Sequence, residues 1–164
     1  MVDAGAFIGD HTLAYSDAVG EEGKVFAYEP NPLAFQCLAH NMGSRRNVFP
    51  FPHGLAAQRE IVNLSGNNGN YGGSYIGDHM PVGHVSLRPL DEDLPLFNRV
   101  DLIKIDVEGY EARVLEGAQQ LISQFRPKLV IEINTVALAR QNIEDRRGMS
   151  GGGMAVGGGL GGLV

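Results

Sequence analysis

Apolar residues fall in short blocks punctuated by glycine, proline and asparagine, and the period inside the blocks alternates between strand-like and helix-like. Met1 to Gly5 predicts the end of a short strand that runs at once into Gly5-Ala6-Phe7-Ile8-Gly9. A helix is expected from Asp10 or His11 to Val19, with Gly20 as its stop. Lys24 to Glu29 (KVFAYE) predicts a second strand between Gly23 and Pro30. Asn31-Pro32 opens the next helix: asparagine caps, and proline at the first helical position has no N–H to leave unpaired. That helix carries Phe35, Leu38 and Met42 and ends at Gly43. Val48 to Leu55 predicts a third strand, which Pro50 and Pro52 place at a sheet edge. Strand, helix, strand, helix, strand in that order predicts an α/β fold with a parallel, doubly wound sheet.

The middle of the chain is less regular. Glu60 to Leu64 and Val85 to Leu90 predict strands on either side of a glycine- and asparagine-rich loop, Ser65 to Gly77. The α/β rhythm then returns with a strand over Val100 to Val107 (VDLIKIDV). A helix over Gly109 to Ser123 follows, with Val114, Leu115, Ala118, Leu121 and Ile122 on one side. Pro127 to Ile133 (PKLVIEI) predicts a last strand of the continuous apolar kind that is buried on both faces.

Composition bounds the possibilities. The 164 residues suit one domain, and 43% apolar with 20% charged residues is the balance of an ordinary globular chain. A net charge of −6 argues against a nucleic-acid partner, which needs a basic surface. Cys37, the one cysteine, can form no internal disulfide and no cysteine-rich zinc site. No apolar run reaches the roughly 18 residues of a membrane span, and the start does not read as a signal peptide. No membrane association is expected, and a cytoplasmic setting is the default. Nine of the 23 glycines fall between Gly148 and Val164, too many for packing to offset the entropy of ordering them. The expected organisation is a folded domain over residues 1–140, then a charged linker and glycine-rich, disordered tail over 141–164.

Candidate chemistry begins at the first turn. Asp3, Gly5 and Gly9 fit Asp-x-Gly-x-x-x-Gly at a strand-to-helix junction, where bare backbone and unpaired helix N–H groups can meet a polar ligand. A tight turn with no ligand is the alternative. A dinucleotide fingerprint would place its second glycine where Phe7 stands, which disfavours NAD, and no Gly-Lys-Ser/Thr follows to make a P-loop. Glu29, at the carboxyl end of the second strand and 20 residues beyond Gly9, is positioned to accept hydrogen bonds from both hydroxyls of a ribose. An exposed glutamate before a turn is the competing interpretation. Lys104, Asp106 and Glu108 alternate with apolar residues, so a regular strand would point all three charges to one side. A carboxylate there could take a proton from a substrate hydroxyl, with Lys104 holding it ionised. A helix cap at Asp106 or Glu108, or a structural Lys104–Asp106 ion pair, would explain the same residues. His11, His53, His79 and His84 form no metal-ligand pattern, and no metal is expected. Were a histidine the base, His79 or His84 would be best placed, before the strand at Val85.

VDAGAFIGDHT, GKVFAYEPNP and VDLIKIDVEGYEARVLEGA together resemble the FkbM family of S-adenosylmethionine-dependent methyltransferases, over residues 2 to 134. Lys-Ile-Asp-Val-Glu-Gly-x-Glu followed by Leu-x-Gly-Ala is the most specific segment, and Pro89-Leu90-Asp91-Glu92 is similar to the family's strand leading into a Leu-Asp turn. The resemblance implies a Rossmann-like class I methyltransferase fold and O-methylation of a hydroxyl on a sugar, glycan or secondary metabolite. It implies that Asp3, Gly5 and Gly9 line the methionine portion of S-adenosylmethionine, that Glu29 binds the ribose with Asn31 beside it, and that His53 and Gly54 sit near the adenine. Asp106 and Glu108 would face the transfer point. Phe7 departs from the small or polar residue common there. Against that fold the chain is expected to be shortened at both ends: only Met1 and Val2 precede Asp3, and nothing after Ile133 reads as a closing antiparallel strand pair. A cofactor-binding or relic domain without turnover is the alternative function, and a nucleoside-dependent oxidoreductase is a third, opposed by Phe7 and the Asp106 segment.

Overall fold

The computed structural model describes residues 1–67, 70–76 and 81–133. In chain order these form β1 (Val2–Ala4), α1 (Asp10–Val19), β2 (Val25–Tyr28), α2 (Pro32–Asn41), β3 (Val48–Phe51), β4 (Gly54–Leu55), β5 (Glu60–Asn67), β6 (Asn70–Ile76) and β7 (Pro81–Arg88). A 3-10 helix (Leu90–Leu96), β8 (Leu102–Ile105), α3 (Glu111–Glu116), α4 (Gln119–Phe125) and β9 (Lys128–Ile131) complete them. The predicted linker and tail at 141–164 and the candidate base His79 lie outside the described residues.

Five strands make one parallel sheet in the order β3-β2-β1-β8-β9. The chain leaves β1 toward β2 and β3 on one side and comes back as β8 on the other. That reversal opens a crevice at the carboxyl end of β1, as the doubly wound expectation requires. Alternation along β2 explains the layers. Val25 and Ala27 pack with Leu38, Met42 and Val48 on one face, whereas Phe26 and Tyr28 pack with Leu90, Val114 and Leu121 on the other. All four β2 residues are therefore buried. Asn31 caps α2 as expected, its side chain accepting from the N–H groups of Leu33 (3.0 Å) and Ala34 (3.3 Å), with Pro32 at the first helical position. Such a cap is worth about 1 kcal/mol.

Four expectations are corrected. Val48 to Leu55 is two strands: β3 closes the edge of the parallel sheet, and β4 belongs to a second sheet of order β4-β7-β5-β6. The segment expected to be a loop, Ser65 to Gly77, lies largely in β5 and β6, an antiparallel pair whose ladder hydrogen bonds override weak strand propensity. The single helix expected over Gly109 to Ser123 is broken, because Asp91 of the 3-10 helix caps α4 from outside. Its carboxylate accepts from the N–H groups of Gln120 (3.0 Å) and Leu121 (2.9 Å). Lastly, β9 is an outer strand of the sheet, not one buried on both faces, and Leu129 and Val130 are 41% and 54% exposed.

Candidate active site

The loops that follow β1, β2 and β8 share one cavity of about 180 Å³. Gly5 begins it. The N–H groups of Gly5 and Ala6 both donate to the Tyr28 carbonyl at 3.0 Å, which folds the chain back over β2. Gly5 has φ 78°, and a Cβ on it would sit 1.8 Å from the carbonyl oxygen of Asp106. Only glycine fits, and the constraint comes from the neighbouring strand end. Gly9 has a different task. A Cβ there would meet Leu38 at 2.8 Å, so Gly9 brings α1 close to α2 and lies outside the cavity lining.

Glu29 forms the wall above β2. Its Oε2 accepts from the Phe7 N–H and its Oε1 from the Asn31 N–H, each at 2.8 Å, and only 6% of the residue is exposed. Burial raises its pKa above the ordinary value of 4.5, with the two N–H bonds opposing that shift. Each oxygen has accepting capacity beyond one amide, and Glu29 lines the cavity with Asn31.

The opposite wall follows β8. Lys104 is buried, its Nζ 2.7 Å from the Gly5 carbonyl, 3.2 Å from Asp3 Oδ1 and 3.5 Å from Asp106 Oδ2. The Lys104–Asp106 ion pair raised as an alternative is thus present, while Asp106 also lines the cavity with a side chain 29% exposed. Asp3 is fully buried; its Oδ2 accepts from Thr12 Oγ1 at 2.6 Å, and it lies outside the lining. The expected period-two alignment of Lys104, Asp106 and Glu108 fails at its end. β8 stops at Ile105, and Glu108 has φ 51°, a left-handed turn position. Glu108 reaches the cavity through that turn and not along a strand face.

Gly54 lines the cavity where a Cβ would meet Leu87 at 2.5 Å and Pro30 at 3.2 Å. His53 lies behind it, against Tyr28 and Phe51 at ring separations of 5.3 and 5.8 Å. Its Nδ1 is 3.1 Å from the Gly54 carbonyl and therefore carries the proton. Burial lowers its pKa below 6.5. Beneath, Tyr28 donates to Asp93 at 2.8 Å and Arg88 pairs with the same carboxylate at 2.8 Å.

Of the ten residues singled out in the sequence, Gly5, Glu29, Asn31, Gly54, Lys104, Asp106 and Glu108 line the cavity, and Asp3, Gly9 and His53 support it from outside. The sequence reading missed Leu55, Leu64, Leu87 and Tyr110, which form an apolar wall. They carry no local signal that separates them from core residues. His11 lines the cavity from the first turn of α1, whereas His84 is exposed on β7. No helix among the described residues is long and apolar enough to cross a membrane.

The sequence matches the methyltransferase FkbM domain over residues 3–151. The chain belongs to this methyltransferase family. Hexuronic acid methyltransferase AglP of Haloferax volcanii is 31% identical over 122 residues, 70% of this chain and 48% of that protein. The chain thus spans about half the length of this curated relative. A crystal structure of an FkbM methyltransferase from Methylobacillus flagellatus matches 88% of this chain and 36% of its own, with 23% identity and a TM-score of 0.59. That likeness extends the Rossmann-like methyltransferase fold to this chain.

Proposed function

We propose that the cavity binds S-adenosylmethionine and that the chain methylates a hydroxyl of a sugar, glycan or related metabolite. The carrying observation is Glu29: a buried carboxylate whose two oxygens are oriented by the Phe7 and Asn31 N–H groups and left able to accept at the cavity. A pair of acceptors so fixed suits the two adjacent hydroxyls of a ribose. Gly54 supports the fit, since without a Cβ it packs tightly against Leu87 and Pro30 and keeps bare backbone at the cavity wall where a flat base would lie, with His53 behind. Gly5 and the Asp3–Lys104 pair would shape the floor for the amino-acid portion, and Gly9 would hold α1 in register.

When bound, S-adenosylmethionine supplies an electrophilic methyl group, which passes to the acceptor oxygen as the sulfonium becomes a thioether. The protein's part is to hold acceptor and donor in line and to receive the hydroxyl proton. Asp106 is the group proposed to take it, with the Lys104 ammonium 3.5 Å away and Glu108 on the same wall. The sugar preference draws on the hexuronic acid relative; localisation in the cytoplasm remains part of the same proposal. Incubating the chain with methyl-labelled S-adenosylmethionine and hydroxylated sugars tests the reading. Label in a product ether that is absent with Asp106→Asn supports it; label that enters the product equally with the variant contradicts the role of Asp106.

A further inference from the structure

We infer that Phe7 reads the charge of the cofactor, its ring offering an aromatic face to a sulfonium cation. The inference rests on the cofactor reading above and assigns a residue that reading leaves without a task.

Three observations meet at Phe7. Its backbone sits at φ 50°, a region that a bulky aromatic side chain rarely adopts. The residue is half-buried and lines the cavity, yet it belongs to none of the three hydrophobic clusters formed by the described residues. Core packing therefore does not explain why the strained position carries a large aromatic. Its place is also specific. The Phe7 N–H holds the Glu29 carboxylate at 2.8 Å, and two residues earlier Gly5 abuts the Asp106 carbonyl. Phe7 thus lies between the carboxylate assigned to the ribose and the strand end assigned to methyl transfer. In S-adenosylmethionine the sulfur is bonded to the ribose C5′ and to the methyl group, so the positive charge falls on that same path.

The surroundings favour a cation. Asp10, Glu29, Asp106 and Glu108 line the cavity, and the ammonium of Lys104, also in the lining, is drawn to Asp3, Asp106 and the Gly5 carbonyl. A cation over a phenyl face gains from the ring quadrupole, an attraction that a neutral thioether does not share. Phe7 should therefore distinguish S-adenosylmethionine from S-adenosylhomocysteine, which helps the product leave.

Calorimetric titration of both compounds into the wild type, Phe7→Leu and Phe7→Tyr tests this. Leucine keeps an apolar side chain and the backbone strain but has no π face; tyrosine keeps the face. Phe7→Leu is expected to weaken S-adenosylmethionine about 3- to 10-fold and S-adenosylhomocysteine less than about 2-fold, with Phe7→Tyr close to wild type. Equal losses for the two ligands, or no loss, overturn the inference and leave the cofactor reading standing. A folded wild type that binds neither compound overturns both.

Discussion

The two walls of the cavity are built by opposite means. On the β2 side, Glu29 is buried and both its oxygens are held by backbone N–H groups of residues on either side of it. On the β8 side, Asp106 is partly exposed and faces an ammonium at 3.5 Å that is shared with Asp3 and a carbonyl. The first wall is preorganised and presents fixed acceptors, which suits the proposed ribose. The second leaves a carboxylate accessible, which suits the proposed proton transfer. Gly5 joins the two, folding over the Tyr28 carbonyl while touching Asp106.

That joint is where the contrast breaks most completely. Gly5→Ala would place a Cβ 1.8 Å from the Asp106 carbonyl at a φ of 78°. It is expected to cost more than about 4 kcal/mol and to lower the melting temperature sharply with loss of ligand binding, read by thermal denaturation. Asp106→Asn should separate the walls. Methyl transfer is expected to fall by about 10²- to 10⁴-fold while S-adenosylhomocysteine affinity stays within about 10-fold. A fall in melting temperature with turnover spared would instead make Asp106 purely structural.

A pH titration sharpens the comparison by a smaller effect. Burial raises the Glu29 pKa, so its carboxylate takes up a proton at a higher pH than an ordinary glutamate and stops being a double acceptor. Affinity for S-adenosylhomocysteine should be flat near neutrality and decline as pH falls through that raised value, above 4.5. The sign for stability is opposite: the buried charge costs stability at neutral pH, and acidification relieves this cost. Calorimetry and thermal denaturation at several pH values should diverge in those directions.

The sequence made the preorganised wall legible because its determinants are local. Gly5, Glu29 and Asn31-Pro32 lie in turns whose residue types dictate backbone conformation, and the strand–helix alternation sets their end of the sheet. The other wall depended on contacts distant in sequence. Glu108 left the expected strand face because β8 ends early. The α3–α4 break comes from Asp91, a hydrogen-bonding partner distant in sequence that no periodicity within the helix could reveal. An apolar run such as the β9 segment reads the same whether covered or at an edge, so its exposure was illegible. Leu64 and Leu87 lie in the two strands expected around Ser65 to Gly77, but the antiparallel pairing of those strands that brings both to the cavity is a contact between segments distant in sequence.

The central claim, that Glu29 marks a methyl-donor site, is tested most directly by calorimetric titration of S-adenosylhomocysteine into the wild type and Glu29→Ala, with circular dichroism as the check on folding. The account predicts saturable binding at about micromolar strength and a loss of about 100-fold in the variant, equivalent to about 2.7 kcal/mol. A folded wild type that does not bind, or a variant that binds as well as the wild type, would contradict it.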